Sequence, residues 1–218
     1  MEVIKKELPE TEYYKNETLK HQIILHHTVA SNFNSTYTWW QQDGIHVATA
    51  YIIDKDGTIY EMFNPKYWSY HLGKGTTTRN NKAAIGIELV NEGPLWKKNG
   101  KYYWWNGTAK YNRGVYNFNS WWRGHKYFAA YEDAQLDSLV ELLKDLTAKF
   151  NIKKKVIKSY GYDHDLLYKN CILSHHNVRR DKTDISVALD LDLLDRRLNE
   201  NVGYIQNTLN KIRNTIWD

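Results

Sequence analysis

Two apolar, β-prone runs each end in a pair of histidines, and they lie about 150 residues apart: IILHHTV at 23–29 and CILSHH at 171–176. Short apolar runs of this kind fit buried strands, so each delivers an imidazole pair at a strand end. Adjacent side chains on a strand point to opposite faces. One member of each pair, His26 or His27 and His175 or His176, is therefore available to any single site. The second pair continues as SHHNVRRDKTD (174–184), which supplies Asp184 nine residues beyond His175, close enough for a loop to bring it back. Two imidazoles and one carboxylate with an open fourth position form a recognised catalytic zinc set. On spacing alone, a histidine at a strand end is more often simply hydrogen-bonded.

A coarse pass along the chain gives alternating strands and helices. A short helix is expected from Asn34 or Ser35, both good caps, to Gln42. ATAYIIDKDGTIYEMF (48–63) reads as two strands joined at DKDG, since Asp-Gly tolerates the positive φ of a tight turn. AAIGIELV (83–90) is another buried strand. In it Ile85, Ile87 and Leu89 share one face, while Gly86, Glu88 and Val90 share the other. DAQLDSLVELLKDLTAKF (133–150) repeats apolar residues at steps of three and four, the pattern of an amphipathic helix. Residues 93–131 break the periodicity and read as a long, aromatic-rich excursion. From Leu198, the residues Val202, Ile205, Leu209, Ile212 and Ile216 predict a C-terminal helical stripe.

At 218 residues the chain suits one sizeable core better than two domains. No run approaches the roughly 18 apolar residues of a membrane span, and the polar N-terminal stretch lacks the apolar centre of a signal peptide. One cysteine, Cys171, excludes an intrachain disulfide and fits a reducing compartment. The net charge of +5 favours anionic partners in general. It forms no basic stripe or nucleic-acid motif, so nucleic acid is not expected as a partner. Nine tryptophans and 17 tyrosines are the unusual numbers. Their clusters at 37–40, 67–71, 102–105 and 121–122 suit carbohydrate or peptide surfaces, or packing beneath long loops.

Taken in order, these segments resemble the zinc-dependent N-acetylmuramoyl-L-alanine amidases of the type 2 family, which includes phage endolysins, recycling amidases and peptidoglycan recognition proteins. IILHHT resembles the family's first strand, whose leading histidine binds zinc; AYIIDKDGTIYEMF resembles its next hairpin. YWSYHLG resembles the segment that carries a histidine beside the cleft, and NKAAIGIELVNEG the strand whose glutamate assists the chemistry. HHNVRRDKTD resembles the closing motif. The resemblance covers roughly 22–92 and 133–198. It implies an α/β fold: a single domain with a central mixed β-sheet flanked by α-helices, and a zinc site in a surface cleft at strand ends.

The resemblance also implies one zinc ion per chain on His26, His175 and Asp184, with Glu88 and Lys182 catalytic and His71 beside the substrate. His176 is the lesser alternative to His175. Trp68, Trp104 and Trp105 are further candidates for substrate contact. The chain departs from the family in its histidine-to-aspartate spacing, in Ile185 where a proline is usual, and in Thr49 and Ala50 where some members carry a tyrosine. The implied reaction is hydrolysis of the amide between the lactyl group of N-acetylmuramic acid and L-alanine in peptidoglycan. Glu88 would move the protons, and Lys182 would stabilise the oxyanion.

The domain is expected over 1–198, with 93–131 as an insertion and 199–218 as a helical extension that docks on the same chain. A monomer is expected, made in the cytoplasm and acting on the wall after holin-type release. Two other readings share the fold: a non-catalytic peptidoglycan-binding protein, and a recycling amidase acting on soluble muropeptides.

Overall fold

The most periodic run in the sequence forms the longest helix, and its apolar stripe selects the sheet face it covers. The protein is described from a computed structural model over residues 1–42, 46–107 and 109–200. In chain order the elements are β1 (Ile4–Lys5), β2 (Gln22–His27), α1 (Phe33–Trp40), β3 (Tyr51–Ile53), β4 (Ile59–Glu61), α2 (Thr78–Ala83) and β5 (Ala84–Leu89). A second group follows: β6 (Pro94–Lys98), β7 (Lys101–Trp104), β8 (Lys110–Tyr111), β9 (Val115–Trp122) and β10 (His125–Ala129). The chain then adds α3 (Asp133–Lys149), a 3-10 turn over His164–Tyr168, β11 (Cys171–Ser174), the short α4 (His175–Val178) and α5 (Leu191–Asn199).

Six strands form the central mixed sheet in the order β1-β4-β3-β5-β2-β11. Only the β3–β4 hairpin is antiparallel; β3, β5, β2 and β11 run parallel to one another, as does β1 to β4. Leu139, Val140, Leu143 and Leu146 of α3 pack with Ile23, Leu25, Ile85 and Ile87 on one face, and Leu194 and Leu198 of α5 extend that layer. Ile24, Leu72, Ala84, Leu173 and Val178 form a smaller core on the other face. Both faces are covered, which is why these parallel strands read as continuous apolar runs. Cys171 is a buried free thiol within the smaller core. No helix among the described residues is long and apolar enough to cross a membrane.

Several boundaries differ from the sequence expectation. Helix α1 is capped two to three residues earlier, by Asn32, whose side chain accepts from the Ser35 N–H at 3.0 Å. Helices α2 and α5 were not anticipated: α2 has only six residues, whereas α5 carries a short stripe of Leu191, Leu194 and Leu198 that was present in the sequence. The helical stripe expected over 199–218 lies almost wholly outside the described residues.

The largest difference concerns residues 93–131, which are ordered as a five-stranded antiparallel sheet, β8-β7-β6-β10-β9. Its register puts Leu95, Trp104, Tyr102 and Tyr127 on one face and Trp96, Tyr103, Tyr116 and Phe128 on the other. With aromatics on both faces there is no apolar/polar alternation to detect. The base of this sheet is stitched to the domain by Asn91. Its side chain donates to the Ala129 and Ala130 carbonyls at 3.3 and 3.1 Å and accepts from the Gly93 N–H at 2.8 Å.

The β3–β4 turn shows how tightly α3 sits on the sheet. Gly57 has φ of +86°, and a Cβ there would lie 2.7 Å from the Ala134 carbonyl oxygen and 2.8 Å from Ser138 Oγ. The glycine thus meets both a left-handed backbone requirement and a steric one. Gly57→Ala is expected to destabilise the fold by roughly 1–3 kcal/mol, read as a lowered denaturant midpoint at unchanged slope; an unchanged midpoint would contradict this account of the contact.

Candidate metal centre and active site

The register of β11, β2 and β5 gathers the polar residues into one row. Leu173 pairs with Ile24, Ile24 with Gly86, and His26 with Glu88. Ile24, Ala84 and Leu173 share the face of the smaller core. Two-residue periodicity therefore brings His26, Glu88 and His175 out on that face at the carboxyl ends of three neighbouring strands. Crevices at such strand ends are the usual ligand sites of open α/β sheets.

Asp184 completes the cluster from the loop that follows α4. The His176 N–H donates to the Asp184 carbonyl at 2.7 Å, which curls the loop back. The Asp184–Ile185 peptide bond is cis. His26 Nδ1 lies 3.0 Å from His175 Nδ1 and 3.1 Å from Asp184 Oδ2, and His175 Nδ1 lies 2.8 Å from the same oxygen. Among the described residues this is the one group of three or more His, Cys, Asp or Glu side chains whose donor atoms converge in this way.

The cluster fits a zinc ion. Bonds of roughly 2.0–2.1 Å in a tetrahedron put neighbouring donors about 3.3 Å apart, slightly wider than the separations here. Each histidine also has its outer nitrogen engaged. His175 Nε2 donates to the Leu72 carbonyl at 3.0 Å, and His26 Nε2 lies 2.9 Å from His71 Nδ1. A carbonyl can only accept, so Leu72 assigns the Nε2–H tautomer to His175 and leaves its Nδ1 lone pair free, as a metal ligand would require; the His71 ring nitrogen holds His26 in the matching orientation. The His71 and Leu72 N–H groups both donate to Asn81 Oδ1, at 3.0 and 3.1 Å. One α2 side chain thereby fixes the segment that orients both His26 and His175.

The electrostatics agree with this donor set. Burial, then the neighbouring His175, pushes the His26 imidazole down to about 4, so it is neutral at pH 7 as ligation requires. Burial works against ionisation of Asp184, yet His175 and His26 outweigh it and hold the carboxyl well below its usual range. Burial, then the charge of Asp184, pushes Glu88 well above the carboxylate range, with Lys182 opposing. Glu88 Oε2 is buried and has no hydrogen-bond partner among the described residues. A cation bound beside it would favour the ionised form.

Glu88, Lys182 and the three-residue cluster line one cleft of about 530 Å³, together with His71, Thr49, Trp39 and Trp40. Trp39 is half exposed, whereas Trp40 is buried. Gly86, on the Glu88 face of β5, leaves room beside that glutamate. That room is taken by Thr49 and His71, since a Cβ on Gly86 would come within 2.6 Å of Thr49 Cγ2 and 3.1 Å of His71 Nδ1.

Trp68, Trp104 and Trp105, expected at the substrate, are placed elsewhere. Trp68 is buried in a stack on Tyr14, with ring centroids 4.0 Å apart, because the N-terminal segment crosses over it. Trp104 packs in the small apolar cluster of the second sheet, and the Trp105 carbonyl accepts from the Trp96 indole at 2.6 Å. The sequence reading missed Trp39 as a wall of the cleft, although it lies in the noted 37–40 cluster. It also missed the Leu72 carbonyl, a backbone group that no residue type could reveal.

The remaining members of the two histidine pairs point away. His27 Nδ1 lies 3.0 Å from the Tyr131 hydroxyl, and His176 Nε2 donates to the Ser159 carbonyl at 3.3 Å.

Comparison with known proteins agrees with this arrangement. The family model described as N-acetylmuramoyl-L-alanine amidase matches residues 17–185. The N-acetylmuramoyl-L-alanine amidase AmiD of Escherichia coli (strain K12) is 28% identical over 106 residues, which are 47% of this chain and 29% of AmiD. The match thus spans under a third of that relative. Among solved structures, the amidase LysC from Clostridium intestinale URNW superposes with a TM-score of 0.53 at 17% identity, covering 92% of this chain and 99% of LysC. AmiD from E. coli, in complex with the substrate anhydro-N-acetylmuramic acid-L-Ala-D-gamma-Glu-L-Lys, gives 0.54 at 21% identity over 84% of this chain and 59% of AmiD. With the family model spanning both histidine motifs, five of the six strands of the central sheet and the returning aspartate, this chain belongs to the N-acetylmuramoyl-L-alanine amidase family.

Proposed function

We propose that the protein hydrolyses the amide between N-acetylmuramic acid and L-alanine in peptidoglycan, acting on the intact wall, with one zinc ion held by His26, His175 and Asp184. The observation that carries this reading is the convergence of those three donors, 2.8–3.1 Å apart, beside an unpaired glutamate in a cleft.

When bound, zinc supplies Lewis acidity toward the amide carbonyl and toward water. The protein residues do the rest. Glu88, one strand away from His26 and at the same level, takes the proton of the attacking water and returns it to the leaving amine, a role worth roughly 10²–10⁴ in rate. Its surroundings suit both halves of that cycle, because burial favours the protonated acid and the cation favours the carboxylate. Lys182, on the loop between the ligands, faces the cleft and stabilises the developing oxyanion. Loss of one such donor costs about 2.7–4 kcal/mol in other hydrolases. His71 orients His26 through its outer nitrogen, and Trp39 offers an exposed ring along the wall for a sugar face or a peptide methyl.

Four outcomes are expected. Protein purified without added metal carries about one equivalent of zinc, and His175→Ala loses it while His176→Ala keeps it; the reverse pattern would overturn the ligand assignment. Glu88→Gln keeps zinc and fold but loses about 10²-fold or more in amide cleavage. A mutant that retains zinc and cleaves within a few fold of wild type would sink this proton path. Trp39→Ala weakens binding to purified sacculi with little change in melting temperature, whereas paired replacement of Trp104 and Trp105 by alanine acts chiefly on melting. Mass spectrometry of digested sacculi shows new L-alanine amino termini. Cleavage confined to soluble muropeptides would favour a recycling enzyme instead, and zinc binding without cleavage of either would favour a binding protein.

A further inference from the structure

The second sheet reaches the active site through the tip of one hairpin. Strands β9 and β10 are joined by Arg123-Gly124, with φ of +49° and +81°. Positive φ at both positions marks the tight turn whose twist matches the flanking strands, and Asn-Gly or Gly-Gly is the usual choice there. An arginine with left-handed backbone is uncommon. A residue held that way points to a role for its side chain.

The side chain spans three backbone carbonyls of the loop between the ligands. Arg123 Nη1 donates to the Arg179 carbonyl at 3.1 Å and also to that of Arg180, and Nη2 donates to the His176 carbonyl at 2.9 Å. The nearby Asp181 carboxylate is engaged by Arg179 instead, through two bonds of 2.8 and 2.6 Å. Trp122 completes the contact: its indole N–H donates to the Tyr160 carbonyl at 3.1 Å, and its ring meets His176 edge-on at 5.2 Å. The Arg123 guanidinium lies 5.3 Å from the centre of that same ring.

The clasped stretch, 176–180, is the chain between His175 and the pair Lys182 and Asp184. We infer that Arg123 is a positioning residue, which fixes this backbone so that His175, Lys182 and Asp184 keep their mutual geometry before metal or substrate arrives. It touches neither the ligand atoms nor the cleft. A guanidinium presents its donors in a rigid planar fork, so it can serve three carbonyls at once; a lysine ammonium is a point donor and cannot reproduce that fork. The aromatic-rich sheet thereby acts as a brace for the metal loop, whatever else its surface does.

The inference rests on the reading of His26, His175 and Asp184 as zinc ligands, and the test separates the two. Wild type, Arg123→Ala and Arg123→Lys, each as the full chain, are compared by chelator competition for zinc and by the visible spectrum of the Co2+-substituted protein. The spectrum reports ligand geometry and would not respond to a purely structural role. Arg123→Ala is expected to lose about 10–100-fold in zinc affinity and to shift the cobalt bands. Its kcat should fall while KM stays within a few fold. Arg123→Lys should recover part of each effect. Variants that match wild type in zinc affinity and cobalt spectrum overturn the inference, whatever happens to melting temperature. If the alanine variant does not fold, the lysine variant decides alone by the same criterion. If wild type itself binds no zinc, the metal reading fails and the inference falls with it.

Discussion

Everything in the site depends on the register of three parallel strands. A slip of one residue between β2 and β5 would turn His26 toward the α3 side of the sheet and leave Glu88 facing the cleft without it. The slip is opposed by the packing of both faces. Ile23 and Leu25 belong to the α3 core and Ile24 to the smaller one, so displacement by one position would exchange their environments. The alignment of His26 with Glu88 is thus held by apolar burial of the residues just before them on each strand, at about 25 cal/mol for each Å² removed from water. This is why the polar row can carry an unpaired buried carboxylate oxygen at its end.

Around that row the supporting contacts come mostly from backbone. Leu72 offers one carbonyl, which accepts from His175 Nε2 and from Arg179 Nη1 at 2.8 Å. Gly73 follows it with φ of +69°, and any Cβ there would collide with the same guanidinium. Gly86 does the corresponding service on β5, giving Thr49 and His71 the space that a side chain would fill. Two glycines and one asparagine, Asn81, therefore set the orientation of the His26 and His175 rings before anything binds between them. Pre-ordering of this kind reduces the entropy lost when the site is occupied.

Most of the central sheet was legible in the sequence because buried strands and tight turns follow short-range rules. The strand IILHH, the turn DKDG and the stripe of α3 are each legible within a dozen residues. His26, Glu88, His175 and Asp184 are tied together by motif order, and the structure brings all four to one cleft. What escaped was long-range or two-faced. The sheet of residues 94–129 carries rings on both faces, so period-two patterning is silent there, although Asn99-Gly100 at one of its turns is a hairpin signal that was present in the sequence. Trp68, expected beside the substrate, is buried by Tyr14, a residue 54 positions earlier that no local pattern connects to it.

The paired histidines now have a single physical explanation. A residue at the end of a buried strand has a neighbour on the opposite face, and in this fold that neighbour also lands in the interior. His27 fills the space beside Gly93, whose φ of +73° leaves its α-carbon open to the ring. His176 stacks against Tyr160 with centroids 5.7 Å apart and meets Trp122 edge-on. Burial pushes each of these two imidazoles down to about 4, so both are neutral near pH 7 and pack as flat, weakly polar rings. In each pair one ring joins the His26–His175–Asp184 cluster and the other seats the element beside it: the start of the second sheet for His27, and its β9–β10 tip for His176. The second sheet is therefore joined to the domain at both ends through the residues next to His26 and His175. That arrangement couples its placement to the loop carrying Asp184 more directly than its distance along the chain would imply.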